Sequence, residues 1–179
     1  DRKTGISIMR IVEELDAGPV INAIECKIEE SDNCETLTRK LSTLAPRALA
    51  ITLQKIIDNK VTESPQKLEK VTYAEKIKKN ERTINWMESA EKIVRKIRAL
   101  SPTPGASTKV KELDLKIIDA QITSSDSKDK VGDLFVSSDG FPAFYAGDKA
   151  VKILKIKISG KNTISGKDFY NGYRQLFGT

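Results

Sequence analysis

The sequence predicts an incomplete α/β unit followed by a small, half-open β-barrel with flanking helices. Three observations predict it. Residues 1–60 read as two strands and then amphipathic helix, residues 61–83 are polar and charged, and residues 84–179 read as a helix, several short strands and a closing helix. A chain of 179 residues has room for one large domain or two small ones.

The first strand is predicted at Gly5 to Val12, where apolar and small or polar residues alternate before the run turns mostly apolar. Glu13-Glu14-Leu15-Asp16-Ala17-Gly18-Pro19 has turn chemistry, and Val20 to Ile28 reads as a second strand, so the pair predicts a hairpin. Ser31, Asp32 and Asn33 offer capping side chains to a helix from Cys34 to Leu44, with Leu37, Leu41 and Leu44 at helical spacing. Pro46 fits the first turn of a separate following helix, whose buried face would be Leu49, Leu53, Ile56 and Ile57. Two strands and two helices cannot bury a sheet by themselves. With an opening just before a strand, this predicts the C-terminal part of a longer protein.

Residues 61–83, with Pro65 and few large apolar side chains, read as a linker. From Ile84 a helical period returns in Trp86, Ala90, Ile93, Val94, Ile97 and Leu100, and Ser101-Pro102-Thr103-Pro104-Gly105 stops it. Strands are expected at Leu113 to Ile122, Val131 to Val136, Ala143 to Ala146 and Val151 to Ile158. In the last, Val151 and Ile153 share one phase while Leu154, Ile156 and Ile158 take the other, which calls for a bulge or a barrel bend. Ser165 opens a final helix carrying Phe169, Tyr173, Leu176 and Phe177 on one stripe.

Composition narrows the function classes. The 39% hydrophobic and 31% charged fractions fit a packed chain rather than a disordered one. No run approaches the roughly 18 to 20 apolar residues of a bilayer span, so no membrane partner is expected. Two cysteines, Cys26 and Cys34, suit a reducing compartment, and the cytoplasm is the expected location. The chain has no histidine, which excludes a Ser/His/Asp or Cys/His relay, an imidazole base or a His-containing zinc site within it; no metal is expected. Charge is uneven. Residues 1–64 carry a balance of −2 and residues 65–179 one of +8, with basic residues densest between 65 and 100. Such a stretch attracts a polyanion such as RNA, although a solvated lysine-rich surface has the same composition.

Three blocks, in order, resemble the methionyl-tRNA formyltransferase family. They are Thr4-Gly5-Ile6-Ser7-Ile8-Met9 with Glu14-Leu15-Asp16-Ala17-Gly18-Pro19-Val20; Thr72-Tyr73-Ala74-Glu75-Lys76-Ile77 with Glu81 and Ile84-Asn85-Trp86; and Ile97-Arg98-Ala99-Leu100-Ser101-Pro102-Thr103-Pro104-Gly105-Ala106. Thr103 stands where the family often has Trp, and Asn85 where Asp usually precedes the Trp. The resemblance implies that residues 1–60 are the C-terminal part of a Rossmann-like formyltransferase domain. Residues 61–83 would be its linker and residues 84–179 an OB-like domain that binds tRNA.

It further implies a formyl group moved from 10-formyltetrahydrofolate to the α-amino group of initiator methionyl-tRNA, by a monomer. Amine attack on the formyl carbon makes a tetrahedral oxyanion. The oxyanion needs hydrogen-bond donors, which the family supplies from Asn and His, and the amine proton needs a route. Asp16 matches the family's catalytic Asp, which orients and charges the imidazole, and Glu13, Glu14 and Leu15 match the turn that helps form the folate pocket. Lys76, Lys78, Lys79 and Arg82 of the linker, with Lys155 and Lys157 of the last strand, would contact RNA phosphates. The Asn-x-His and folate-loop motifs would lie upstream, so the chain alone is expected to be inactive. Trp86 is expected to pack in the core rather than stack on a base. Alternative readings are a folate-dependent formyltransferase acting on a sugar nucleotide, a formyl-folate dehydrogenase, or a stand-alone RNA-binding module.

Overall fold

The computed structural model describes residues 1–67, 69, 71–124 and 131–177. Positions 68 and 70 of the predicted linker lie outside them. The chain divides into two compact units, Asp1–Glu75 and Lys76–Thr179.

In the first unit, β1 (Lys3–Met9) and β2 (Val20–Lys27) form an antiparallel pair in which Ile6 faces Ile24 and Ile8 faces Asn22. The register shifts between Ile8 and Met9, where the chain leaves the ladder for the Glu13–Pro19 turn. After β2, Asp32 is buried and organises the entry to α1 (Cys34–Ile57). Its carboxylate accepts from Lys40 Nζ at 2.6 Å, from the Glu29 amide at 2.8 Å and from the Thr36 hydroxyl at 3.0 Å. The Lys40 ammonium, then the Glu29 amide, hold the Asp32 carboxyl below the usual carboxylate range. Asn33 caps the helix, accepting from the Thr36 amide at 2.9 Å while the Thr36 hydroxyl accepts from the Asn33 amide at 3.0 Å.

Two expectations are corrected here. The two predicted helices are one, with Pro46 in its interior rather than at an N-terminus. Pro46 removes the amide that would serve the Ser42 carbonyl, but both residues are exposed, so water can take that place. The side chains of Thr38, Ser42 and Thr43 donate to the carbonyls four residues back, at 2.7, 2.8 and 3.0 Å. The buried stripe is also different. It runs through Leu37, Leu41, Leu44, Ala48 and Thr52, at helical spacing straight across Pro46, and it packs on both strands. Small Ala48 and Thr52 let the helix sit close to the hairpin, whereas Leu49, Leu53, Ile56 and Ile57 are exposed, Ile57 by 73%.

The second unit begins with a 3-10 turn at Asn80–Arg82 and α2 (Ala90–Leu100), capped by Ser89, whose hydroxyl accepts from the Lys92 amide at 3.3 Å. The helix then stops at Ser101, with cis peptide bonds before Pro102 and Pro104. Six strands follow: β3 (Ala106–Val110), β4 (Leu113–Thr123), β5 (Leu134–Val136), β6 (Pro142–Tyr145), β7 (Ala150–Ile158) and β8 (Thr163–Ser165). The last helix, α3 (Gly166–Gly172), is capped by the Ser165 hydroxyl, and a 3-10 turn at Arg174–Leu176 follows.

These strands make one antiparallel sheet in the order β3-β4-β7-β6-β5. One edge of β7 pairs with β4; its other edge is shared, β6 taking Ala150 to Lys152 and β8 taking Lys155 to Lys157. The register between β4 and β7 is irregular between Ile117 and Ala120, opposite Ile153 to Ile156. That irregularity meets the phase change read from the sequence, with Val151, Ile153, Ile156 and Ile158 all buried. The expected half-open β-barrel is present only as a sheet that does not close into a barrel. Among the described residues β3 and β5 end the sheet with no ladder between them, so it remains open. Two strands escaped the sequence reading, β3 and the three-residue β8.

The core of this unit joins Ile93, Ile97 and Leu100 of α2 to Leu115, Ile117, Phe144, Ile153, Ile156 and Phe169. Trp86, half-buried, packs against it. Its ring stacks on Phe144 at 4.2 Å and its Nε1 donates to the Thr108 hydroxyl at 3.0 Å. Asp139 in the β5–β6 turn pairs with Lys152 of β7 at 2.8 Å, and that ammonium, with the Ser137 hydroxyl, holds the Asp139 carboxyl below its ordinary value.

Candidate functional site

Glu13, Glu14, Leu15 and Asp16 occupy one exposed turn between β1 and β2. Asp16 has φ of 55°, in the left-handed region that aspartate enters more readily than most side chains. Its carboxylate has no hydrogen-bond partner among the described residues and stands in solvent. Leu15 is 92% exposed and Ile11 93% exposed, so the turn sets two apolar side chains beside two glutamates.

The turn is held from below rather than by its own side chains. Gly18 is buried against the chain that enters the turn, so closely that a Cβ there would lie 1.8 Å from the Arg10 carbonyl oxygen. The Arg10 amide donates to the Pro19 carbonyl at 3.0 Å. Residues from beyond α1 complete the support. Val20 and Ser64 exchange two backbone hydrogen bonds, 2.8 and 2.9 Å, and the Arg10 guanidinium pairs with Glu63. Gln66 Nε2 donates to the carbonyls of Asp16 at 2.7 Å and Gly18 at 2.8 Å. Nothing in the sequence pattern marks Gln66, which sits in a stretch that reads as linker.

The predicted basic residues fall in two places. Lys76, Lys78 and Lys79 are exposed just before and around the 3-10 turn, and Arg82 at its end is half-buried. Glu81 accepts from the Lys78 amide at 2.6 Å, which fixes the turn's start. Lys155 and Lys157 point outward from β7, since Ile156 and Ile158 point into the core. Lys157 lies directly opposite Lys116 of β4, also exposed, and neither forms an ion pair among the described residues. Facing like charges are unfavourable in isolation and favour an anion laid across them. Lys116 was missed by the sequence reading. Its alternation with Leu115 and Ile117 puts it on the outer face, but only strand pairing shows its partner. The Asp16 turn and the lysines belong to different units.

Among the described residues no group of three His, Cys, Asp or Glu side chains could hold a metal ion, and no helix is long and apolar enough to cross a membrane. Cys26 and Cys34 are free thiols.

Two family models match the chain. Residues 76–174 match the one described as formyl transferase, C-terminal domain, and residues 1–53 the one described as formyl transferase. A methionyl-tRNA formyltransferase of Pelagibacter ubique is 36% identical over the whole chain, which covers 56% of that relative. One of Bacillus licheniformis is 35% identical over 95% of the chain and 54% of its own length. The chain thus spans little more than half the length of these curated relatives. Among solved structures, HypX from Aquifex aeolicus in complex with tetrahydrofolic acid superposes over 99% of the chain and 31% of its own, with a TM-score of 0.73 at 19% identity. That likeness concerns the fold.

Proposed function

The chain belongs to the formyl transferase family, and from that premise we propose that it works in the transfer of a formyl group from 10-formyltetrahydrofolate to the α-amino group of initiator methionyl-tRNA. The observation that carries the reading is the identity of 36% and 35% to relatives named methionyl-tRNA formyltransferase, which runs along both units rather than the turn alone. The reading places the work in the cytoplasm, where translation begins.

In this reading residues 1–60 complete a Rossmann-like catalytic domain, residues 61–83 link it, and residues 84–179 are an OB-like handle for tRNA. The register irregularity between β4 and β7 supports that last comparison, because such irregularities accompany the bending of a strand. Asp16 is the catalytic carboxylate. It is free to accept a hydrogen bond from an imidazole and to hold the proton released by the attacking amine. The chain has no histidine, so that imidazole comes from outside these residues. Bound formyl-folate supplies an electrophilic one-carbon unit; Leu15 and Ile11 would cover its ring while Glu13 and Glu14 accept from its N–H groups. Lys76, Lys78, Lys79, Arg82, Lys155 and Lys157 would neutralise phosphates along the tRNA, which gives affinity rather than sequence choice.

The test is an assay of the full-length gene product with 10-formyltetrahydrofolate and methionyl-tRNA, beside its Asp16→Asn variant. Formyl transfer that falls by orders of magnitude in the variant, with tRNA binding nearly intact, is the expected result. No transfer to methionyl-tRNA, or transfer to an amino sugar nucleotide in its place, overturns the reading.

A further inference from the structure

We infer that Gln66 is a positioning residue for the Asp16 carboxylate, an inference that rests on the formyl-transfer reading of the turn. The left-handed region is open to aspartate more readily than to most side chains but is still sparsely populated, so contacts to the backbone there decide how firmly Asp16 keeps it. At Asp16 the side chain imposes nothing, because it has no partner among the described residues. The support reaches the backbone instead, and the side chain that bonds it there is Gln66.

Gln66 is well suited to this. A primary amide nitrogen has two N–H donors. The two short contacts of Gln66 Nε2 are to carbonyls two residues apart, Asp16 and Gly18, at 2.7 and 2.8 Å, with the weaker acceptor Met9 Sδ farther off at 3.7 Å. Bridging these two carbonyls ties the peptide leaving Asp16 to the peptide leaving Gly18, which leaves the intervening Ala17 little freedom. The Asp16 side chain is thereby aimed by its own backbone. Gln66 is in turn anchored, since two residues before it Ser64 is laddered to Val20 and three residues before it Glu63 pairs with Arg10. Residues 63–66 therefore act as a strap that runs from the end of the first unit's helix back under the catalytic turn. Gln66 touches neither reacting atom, so its effect passes through Asp16.

The experiment compares Gln66→Ala, Gln66→Glu and Gln66→Lys in the full-length gene product, each alone and with Asp16→Asn. Glutamate at this position offers acceptors to two carbonyls, whereas the lysine ammonium can still donate to both. Expected are a fall in kcat of roughly ten- to hundredfold for the alanine and glutamate variants, acceptor KM within twofold of wild type, and substantial recovery with lysine. In the Asp16→Asn background the alanine change is expected to add almost nothing. A merely structural residue would instead lower the rate by the same factor in both backgrounds. Wild-type kcat in Gln66→Ala, or that equal factor, overturns the inference. Absence of turnover in the wild-type protein overturns the formyl-transfer reading instead. A second measurement needs no turnover: backbone chemical shifts at Asp16, which report its left-handed φ, should move toward coil values in Gln66→Ala. Unmoved shifts overturn the positioning role whatever the reaction proves to be.

Discussion

Gly18→Ala tests the support of the Asp16 turn at its tightest point. The new Cβ would sit 1.8 Å from the Arg10 carbonyl oxygen, about 1.2 Å short of the 3.0 Å below which such contacts are essentially never seen. The neighbour is backbone, so no side chain can swing aside. The φ of Gly18 is not left-handed, so the obstruction is spatial and no conformational preference is involved. The two chain segments must part by that distance. This strains or breaks the Arg10–Pro19 hydrogen bond and the Gln66 bond to Gly18, and Asp16 moves with them. A displacement near 1 Å at a catalytic group lowers a rate by about 100-fold, and forcing a methyl into a filled site destabilises by roughly 1–3 kcal/mol. Formyl transfer by the full-length protein measures the first and urea unfolding the second. Gly172→Ala is the control, because a Cβ there meets nothing within 4 Å. A Gly18→Ala protein with wild-type kcat would show that the turn is not held against Arg10 as described.

Other expectations concern different parts of the molecule. Ile93 is fully buried in the second unit's core, so Ile93→Ala should destabilise that unit by about 2–5 kcal/mol in denaturant unfolding. Asp32 has a folded-state pKa below its unfolded value, so its contribution to stability is present above about pH 4 and is lost as pH falls through the lower folded value. Asp32→Asn should accordingly remove part of the acid-side fall in stability, measured by unfolding between about pH 6 and pH 2. Lys76→Ala with Lys79→Ala should weaken tRNA binding and reduce the slope of log affinity against log salt by about one per phosphate contact removed, roughly two in all. Binding unchanged by that double substitution would place the RNA surface elsewhere.

Much of the architecture is legible because alternation and helical period are local. The hairpin, α2 and β7 follow from residues within a few positions of one another, and even the irregularity opposite Leu154 shows as a change of phase. The failures share a cause. Pro46 reads as a boundary because proline usually ends a helix, yet the stripe through Leu41, Leu44, Ala48 and Thr52 continues across it. Ala48 and Thr52 are a poor hydrophobic signal beside Leu49 and Leu53, but close approach to a hairpin selects small side chains. β3 and β8 are too short and polar to carry a period, and their ladders are made with distant β4 and β7. At the site, the role proposed for Asp16 rests on resemblance, since a lone aspartate in a turn is usually a turn residue. Gln66 and Lys116 gain meaning only from long-range neighbours, 48 to 50 residues away for the first and 41 away for the second.

The strap also bears on where this chain can be divided and recombined. By sequence the natural joint between modules is near residue 60, where α1 has ended and polar residues begin. A chimera joined there would take Glu63, Ser64 and Gln66 from one parent and the Asp16 turn from the other. Such a hybrid could fold while the Asp16 carboxylate was poorly aimed. A crossover placed after Gln66 keeps the turn and its support in one inheritance unit. Exchange of the second unit among related proteins should therefore tolerate breakpoints beyond this residue better than breakpoints at the apparent edge of the domain.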